Sequence, residues 1–565
     1  MRESEQNLRW LVLGSIIGRY TEILSIAGCV KERRGLLSEV PPFVSSRLLG
    51  KSLAARNPGP MLLFAATSSI WQLPIPPLDA AIVAGYLGAM LALGVWVGRG
   101  QKTTVDYFLG GRSLPGWAVL LSIVSTETSA VTFLSIPGMA FAAGGDLRFL
   151  QITFGYVVGR LVVVWLLLPL YFRGEPFTAY EVLERRFGKA SRRLTSLLFL
   201  VTRNIADALR LYLAALVLKE AMNLEMQLCI WAVGVVTIAY TYLGGVKSVV
   251  WNDCVQFAIY ILGAAVILYK ILTLLPGGVE QYWSYAAAHD KLRVFDFTPS
   301  LTAPLTFWGG LIGGMFLTGA THGTDQLTVQ RLLAAKSQRT AGWALAASGF
   351  VVCFQFALFL LIGVGLAAFY DVYPPEVPFG KANDRVVAHF IINHLDPGIV
   401  GLTLAAVFAA AFSSSLNSLS TALVSDIVLP LSRNALSRET QMRWAKWSTL
   451  AFGILQIGIA VAAYRLSASQ SIVNEVLTIA AFTSGPMLGL YLIGVLAPSI
   501  SEKPALGGFL CGLIVISLVT FLPKYWTDLP TVWWPWYATI GSAATFAAAW
   551  LLNMTPLAAP NVQEY

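Results

Sequence analysis

Charge is scarce in this chain. Asp, Glu, Lys and Arg make up only 12% of its 565 residues, against 56% hydrophobic residues, too few to cover a water-soluble surface of that size. Cysteine is also sparse. The five (Cys29, Cys229, Cys254, Cys353, Cys511) stand without CxxC spacing, mostly in apolar stretches where a thiol behaves as a small hydrophobe, so neither a disulfide framework nor a metal site is implied. The four histidines (His289, His322, His389, His394) show no HExxH or other ligand spacing, which leaves a metalloenzyme without support. No His/Asp or Ser/His pairing lies in the apolar stretches and no nucleotide-binding loop is present, so neither an enzyme nor an organic cofactor is expected. The net charge of +9 does not point to nucleic acid, because the basic residues sit in short loops between apolar segments, where orientation in a membrane explains them.

What is abundant is apolar length. The mean hydropathy is +0.67, and a helix needs about twenty mostly apolar residues to cross the hydrocarbon. Thirteen runs qualify, centred near residues 79–98, 117–142, 149–171, 194–218, 227–243, 252–274, 304–320, 341–369, 398–426, 447–464, 473–496, 505–522 and 533–552. The expected fold is therefore an all-α integral membrane protein with about 13 transmembrane helices. Loop charges set its orientation, since Lys and Arg accumulate on the cytoplasmic side. One set of loops holds Arg99 and Arg112, Arg185 to Arg193, Lys247, Arg331 to Arg339, Arg433 to Lys446 and Lys503; the alternate set is about half as basic. This places the N-terminus outside and the C-terminus in the cytoplasm of a cell (inner) membrane protein, with the lipid bilayer as a partner. The long outer connections near 280–300 and 370–398 read either as caps on an external entrance or as solvated loops.

The first 76 residues stand apart. Residues 8–30 are apolar but interrupted by Arg19 and Glu22, with no clean signal-peptide pattern. They read as an extension outside the transport unit, or as a start placed too early with Met61 as the true one, or as an amphipathic surface helix. The transporter domain is expected over 77–553, followed by a cytoplasmic tail at 554–565.

Polar groups inside hydrocarbon are costly, so those present usually face a cavity or one another. Three clusters stand out. VSTETSAVTFLSIPG (124–138) puts Glu127 among hydroxyls in the second span and ends in Pro137-Gly138, a composition suited to a helix broken at mid-membrane; a small-residue packing seam is the alternative. FAAAFSSSLNSLSTALVSD (408–426) carries serines all round the helix, which serve either an ion or interhelical hydrogen bonding. TYLGGVKSVVWNDCVQ (241–256) combines a Gly244-Gly245 turn with Asp253 just inside the next span. An intramembrane carboxylate is a cation ligand or proton carrier by default, and a helix cap otherwise. On 202–212, Arg203, Asp207 and Arg210 share one helical face, lining a pathway or forming a buried ion pair plus one residue reaching the interface.

In order, these clusters resemble the sodium:solute symporters, a family of bacterial proline, sugar and sialic-acid transporters and animal glucose and iodide carriers. The resemblance runs from about residue 77 to 525 and rests on DYFLGGRSLPGW (106–117), GGVKSVVWNDCVQ (244–256), GTDQLTVQRLLAAKS (323–337), SSSLNSLSTALVSDI (413–427) and GPMLGLYLIGVLAP (485–498). It implies a five-plus-five inverted repeat (LeuT-like) core, at about 117–275 and 304–496, with one leading and two trailing helices. It also implies a sodium site at the first broken helix, with backbone carbonyls of Ser125, Thr128 and Val407. The two hydroxyls the family places there fall on Ala410 and Ala411, a departure that removes two oxygen ligands from a hard cation. A second cation site maps to Asp253, Ser413 and Ser414, all present. Solute contacts map to Glu127, Thr132, Gln151, Thr318 and Thr321. Where sugar carriers have a neutral amide this chain has Glu127, a charge expected to favour a cationic or amino-bearing solute or to be neutralised by a proton or sodium. His322 beside them reads as a ligand or as a half-buried histidine bonded to backbone. The expected function is sodium-coupled symport of a small organic solute by alternating access; a proton-coupled symporter of the same fold and a transport-inactive membrane sensor are the alternatives.

Overall fold

The computed structural model describes residues 76–555 except 102, 129, 175, 223, 376–378, 380–382, 412–414, 433–434, 466–471 and 527. The N-terminal extension, the tail and the predicted ligands Ser413 and Ser414 thus lie outside the described residues. Among those described, helix is the dominant regular structure and pairing between extended segments is limited to one isolated bridge, Leu114 with Ala335. This follows from the solvent: in lipid, backbone polar groups must bond within their own segment.

The helices that position the site are α1 (Pro77–Gly98), α2 (Gly116–Glu127), α3 (Ala130–Phe141), α4 (Gln151–Val162), α5 (Tyr180–Phe187), α6 (Lys189–Met222) and α7 (Met226–Leu274) in the first half. In the second half are α8 (Gly278–Ala288), α9 (Gly314–Gly323), α10 (Gln326–Leu333), α11 (Gln338–Val372), α12 (Val386–His394), α13 (Ile399–Ala411) and α14 (Ser415–Ala422), then α15 (Arg438–Arg465), α16 (Ile472–Leu496), α17 (Glu502–Tyr525) and α18 (Trp536–Asn553). Six helices among the described residues are long and apolar enough to cross a membrane, and α2 with α3 makes a seventh span bent by 59°. Large apolar side chains face outward, and some charged ones lie wholly inside. Trp165 and Phe354 are exposed at 79% and 77%, whereas Arg160 and Arg331 are at 0% and 1%, the distribution expected where the surrounding solvent is hydrocarbon.

Three interruptions shape the interior. α2 ends at Thr128, whose backbone turns extended (φ −86°, ψ 96°), in the polar stretch that the sequence marks as a break; Thr126 and Thr128 hydroxyls donate back to the Ser122 and Val124 carbonyls at 2.7 and 2.9 Å. At the far end of the pair, the Lys291 ammonium donates to the carbonyls of Ala140, Phe141 and Ala142, satisfying the orphan acceptors of the α3 terminus. The 49-residue α7 is broken at Gly245 (φ 52°), and a Cβ there would lie 2.6 Å from the Tyr107 carbonyl oxygen, so glycine is required for both conformation and space. The third break corrects the sequence reading, which ends a span near residue 320. The chain runs through a π-helical stretch at Gly309–Gly313 into α9, leaves helical geometry at Thr324 and restarts as α10, capped by the Asp325 carboxylate accepting from Leu327 N at 2.8 Å. α4 and α9 meet closely because Gly155 and Gly159 present no side chain: a Cβ on either would fall 2.3 Å from Gly310 O or 2.2 Å from Thr318 Cγ2. That contact fixes Thr318 beside the α2 break.

Candidate functional site

Where these breaks converge, α2, α4, α6, α9, α10 and α16 enclose a cavity of about 160 Å³. Its wall is rich in hydroxyls, among them Thr126, Thr202, Thr318, Thr321, Thr328 and Ser484, and it carries Glu127, Arg203, Arg210, His322 and Asp325. Of the predicted solute contacts, Glu127, Thr318 and Thr321 are therefore brought together on one cavity. Thr132 and Gln151 are not. The Thr132 hydroxyl sits across the break, 3.4 Å from the Glu127 carbonyl it donates to. Gln151 is wholly buried beside the outer loop: its amide donates to Arg148 O (3.1 Å) and Leu305 O (2.8 Å) and accepts from Asp296 N (2.9 Å), so its polar capacity is engaged in holding that loop.

The charge of Glu127 is not free. Its carboxylate is ion-paired with Arg160 of α4, whose other terminal nitrogen donates to Ser348 Oγ at 2.7 Å. The sequence reading has this charge either favouring a cationic solute or neutralised by a proton or sodium; the structure sets a buried guanidinium against it from behind, the kind of partner a charge at this depth requires. His322 is buried, with Nδ1 3.1 Å from Thr318 Oγ1 and 3.0 Å from Thr321 Oγ1 and Nε2 3.8 Å from Glu127.

The stripe on α6 both lines the cavity and forms ion pairs. Asp207, with no exposed side-chain surface, lies 2.9 Å from Arg203 Nε and 3.6 Å from Arg210 Nη1, while Arg203 Nη1 reaches Asp325 at 3.5 Å. Two guanidinium nitrogens, Arg203 Nη2 and Arg210 Nε, are buried without a hydrogen-bond partner.

Asp253 is buried on α7 and is paired with Arg331 of α10 at 3.2 Å, with Ser122 Oγ donating to the same carboxylate oxygen at 2.5 Å. Ser125 and Thr128 lie in the last turn of α2 and at its cap, both buried; Ser125 Oγ donates to Gln256 Oε1 at 3.5 Å and Gln355 donates to the Thr128 hydroxyl at 2.5 Å. Val407 is part of α13. Within the serine-rich segment the Ser418 and Ser420 hydroxyls hold helices together. Ser418 donates to Gln330 Oε1 at 2.6 Å, Ser420 to Ala445 O at 2.7 Å, and Gln330 Nε2 donates to Asn417 Oδ1 at 2.7 Å, which is the interhelical role open to such residues.

Sequence reasoning leaves Arg160 unassigned, although an ionisable residue inside an apolar span demands a partner and Glu127 was already singled out; it places Arg331 among the cytoplasmic loop cations, and the structure corrects this by burying Arg331 against Asp253.

A polar, charge-balanced cavity at the junction of broken helices, inside a helical bundle with an apolar exterior, defines a membrane transporter. The sodium:solute symporter family matches residues 107–512, and the chain belongs to it. It is 31% identical over 494 residues to the sodium/sialic acid symporter SiaT of Proteus mirabilis, covering 86% of this chain and 96% of that protein. It is 30% identical over 447 residues to sodium-coupled monocarboxylate transporter 1 of Xenopus laevis, covering 77% and 71%. A solved structure of a Na+-coupled sialic acid symporter, substrate-bound and outward-open, matches with a TM-score of 0.77 at 30% identity, covering 86% of this chain and 99% of that one. The chain is thus a multi-pass membrane protein that performs sodium-coupled symport of a solute, with sodium as the coupling ion.

Proposed function

We propose that the solute is a small organic acid bearing hydroxyl or amine donors, bound in the α2/α6/α9 cavity. The observation that carries this is the pair of cavity-lining arginines on α6, which share one buried carboxylate and retain two buried N–H groups without partners; a solute carboxylate satisfies both the charge and the geometry of a guanidinium. Glu127, ion-paired with Arg160, accepts from donors at the solute's other end, alongside Thr318 and Thr321. The relatives named for sialic acid and monocarboxylates support an acid as cargo.

Transport runs by alternating access between two inverted five-helix repeats, in a thirteen-span bundle of the inner membrane with the N-terminus outside, as the loop charges support. Sodium binds Asp253 with Ser413 and Ser414, and the carbonyls of Ser125, Thr128 and Val407 mark the weaker site, where Ala410 and Ala411 replace hydroxyls. Each cation moving inward contributes about 2.3 kcal/mol per 100 mV.

Uptake into proteoliposomes tests this, with sodium and proton gradients imposed separately and sialic acid, lactate, a neutral hexose, an amino acid and a polyamine as solutes. Sodium-driven uptake of an acid is expected; preference for the hexose or the polyamine would overturn the solute assignment. Neutralising Asp253 as Asn is expected to abolish gradient-driven uptake.

A further inference from the structure

The carboxylate that should receive sodium already has a cation on it. Arg331 Nη2 lies 3.2 Å from Asp253 Oδ2, Arg331 Nε donates to Ser122 Oγ at 2.8 Å, and Ser122 Oγ in turn donates to Asp253 Oδ2 at 2.5 Å. All three residues are buried, at 1%, 3% and 0% exposure for Arg331, Asp253 and Ser122. They come from three segments, α10, α7 and α2, and two of these segments end at the helix breaks that line the cavity. A dehydrated carboxylate stabilises one positive charge; two cations beside it would leave one uncompensated in a low-dielectric site.

We propose that Arg331 is the stand-in cation of the empty carrier: it neutralises Asp253 while no sodium is bound, and sodium must displace it to bind. This rests on the reading of Asp253 as a cation ligand. Sodium and the guanidinium then alternate on one carboxylate, and the exchange has a mechanical consequence. Arg331 sits in the last turn of the eight-residue α10. The same short helix is capped by Asp325, which pairs with Arg203 in the cavity, and its Leu327 and Thr328 line that cavity. Releasing Arg331 from Asp253 and Ser122 removes the ties of α10 to α7 and α2 and leaves it held to α14 through Gln330, while its other end forms the solute wall, so ion arrival changes what this one short helix is fixed to and reaches the solute site through it. With Arg331 back on Asp253, the empty carrier moves without an unpaired buried charge.

The test compares net sodium-driven uptake with solute exchange in proteoliposomes. A ligand that must displace a competitor binds with an affinity reduced by the fraction of competent sites. Arg331→Gln is therefore expected to lower the half-saturating sodium concentration by roughly threefold or more, to retain exchange, and to lower net uptake by about tenfold because the empty carrier now carries a bare carboxylate. Arg331→Lys keeps the charge but loses the fork geometry, and should show the same shifts in smaller measure; it serves where the glutamine variant does not fold. Unchanged sodium half-saturation together with an unchanged ratio of net uptake to exchange in both variants means a purely structural pair and overturns the proposal. Wild-type sodium dependence in Asp253→Asn instead overturns the ion-site reading beneath it. In Asp253→Asn/Arg331→Gln, where neither charge remains, exchange without sodium stimulation is expected, and wild-type stimulation would sink both.

Discussion

Arg160 and Glu127 form an ion pair in which only the acid reaches the cavity: the Arg160 side chain has no exposed surface and that of Glu127 has 17%. The cavity wall therefore presents a carboxylate whose charge is balanced from behind. For the acid solute proposed above, this arrangement provides a fixed acceptor inside the bilayer without a net field that would repel the anion.

Removing one member of a buried pair strands the other, at a cost of about 3–5 kcal/mol. Glu127→Gln and Arg160→Met are each expected to destabilise the protein on that scale, with Arg160→Met also releasing Ser348. The double variant should cost far less than the sum, and thermal unfolding in detergent reads the coupling directly. Additive effects would mean that the two groups do not interact in solution.

Gln151 gives the contrasting expectation. Three hydrogen bonds tie its amide to the outer loop, and none faces the cavity. Gln151→Ala leaves buried backbone groups unpaired, worth about 1–3 kcal/mol each at most, so stability should fall while the half-saturating solute concentration stays within about twofold of wild type. A tenfold loss of solute affinity at unchanged stability would return Gln151 to the binding site.

These two residues also show what was legible beforehand. Breaks at Thr128 and Gly245 could be read from local chemistry: hydroxyls able to bond freed carbonyls at the first, a glycine pair at the second. The clusters carrying the family resemblance were equally visible. Pairing was not. Glu127 finds Arg160 33 positions away and Asp253 finds Arg331 78 positions away, and helix packing rather than sequence spacing sets both. The break at Thr324 escaped for another reason: α10 is too short for a hydropathy window to register, although Asp325 followed by an amphipathic run is an N-cap signal. Gln151, placed by resemblance, sits on the expected span but at the end where the outer loop claims it.

The outer loop supplies a pH dependence. Asp296 accepts from the Thr298 hydroxyl (2.7 Å) and backbone N–H (3.2 Å) and pairs with Arg148 and Arg293, each at 3.1 Å. The Thr298 hydrogen bonds foremost, and then the arginines, hold its carboxyl below the usual range. A depressed folded pKa contributes stability that is present above the unfolded value, about 3.9, and is lost as pH falls through the folded one. Protease nicking within 290–307 should stay low from neutral pH down to about 4 and rise below it. Asp296→Asn should be nicked more readily at neutral pH and lose that acid dependence; an identical acid profile in the variant would assign the step to another group.

Arg210 tests the solute chemistry. It lies 3.6 Å from Asp207, a looser contact than the 2.9 Å of Arg203, and its Nε has no hydrogen-bond partner. Asp207 therefore keeps a close cation when Arg210 is replaced, and the fold should tolerate the change. Arg210→Gln removes a charge-assisted donor to the solute carboxylate, worth about 1.5–3 kcal/mol. The half-saturating concentration of an acid solute should accordingly rise by roughly ten- to a hundredfold, with sodium half-saturation little altered because Asp253 and Arg331 are untouched. Arg210→Lys should recover part of the loss, since it restores the charge without the planar fork. Equal affinity for the acid in wild type and Arg210→Gln would mean that the carboxylate is held elsewhere, with Arg203, paired to both Asp207 and Asp325, the next residue to replace.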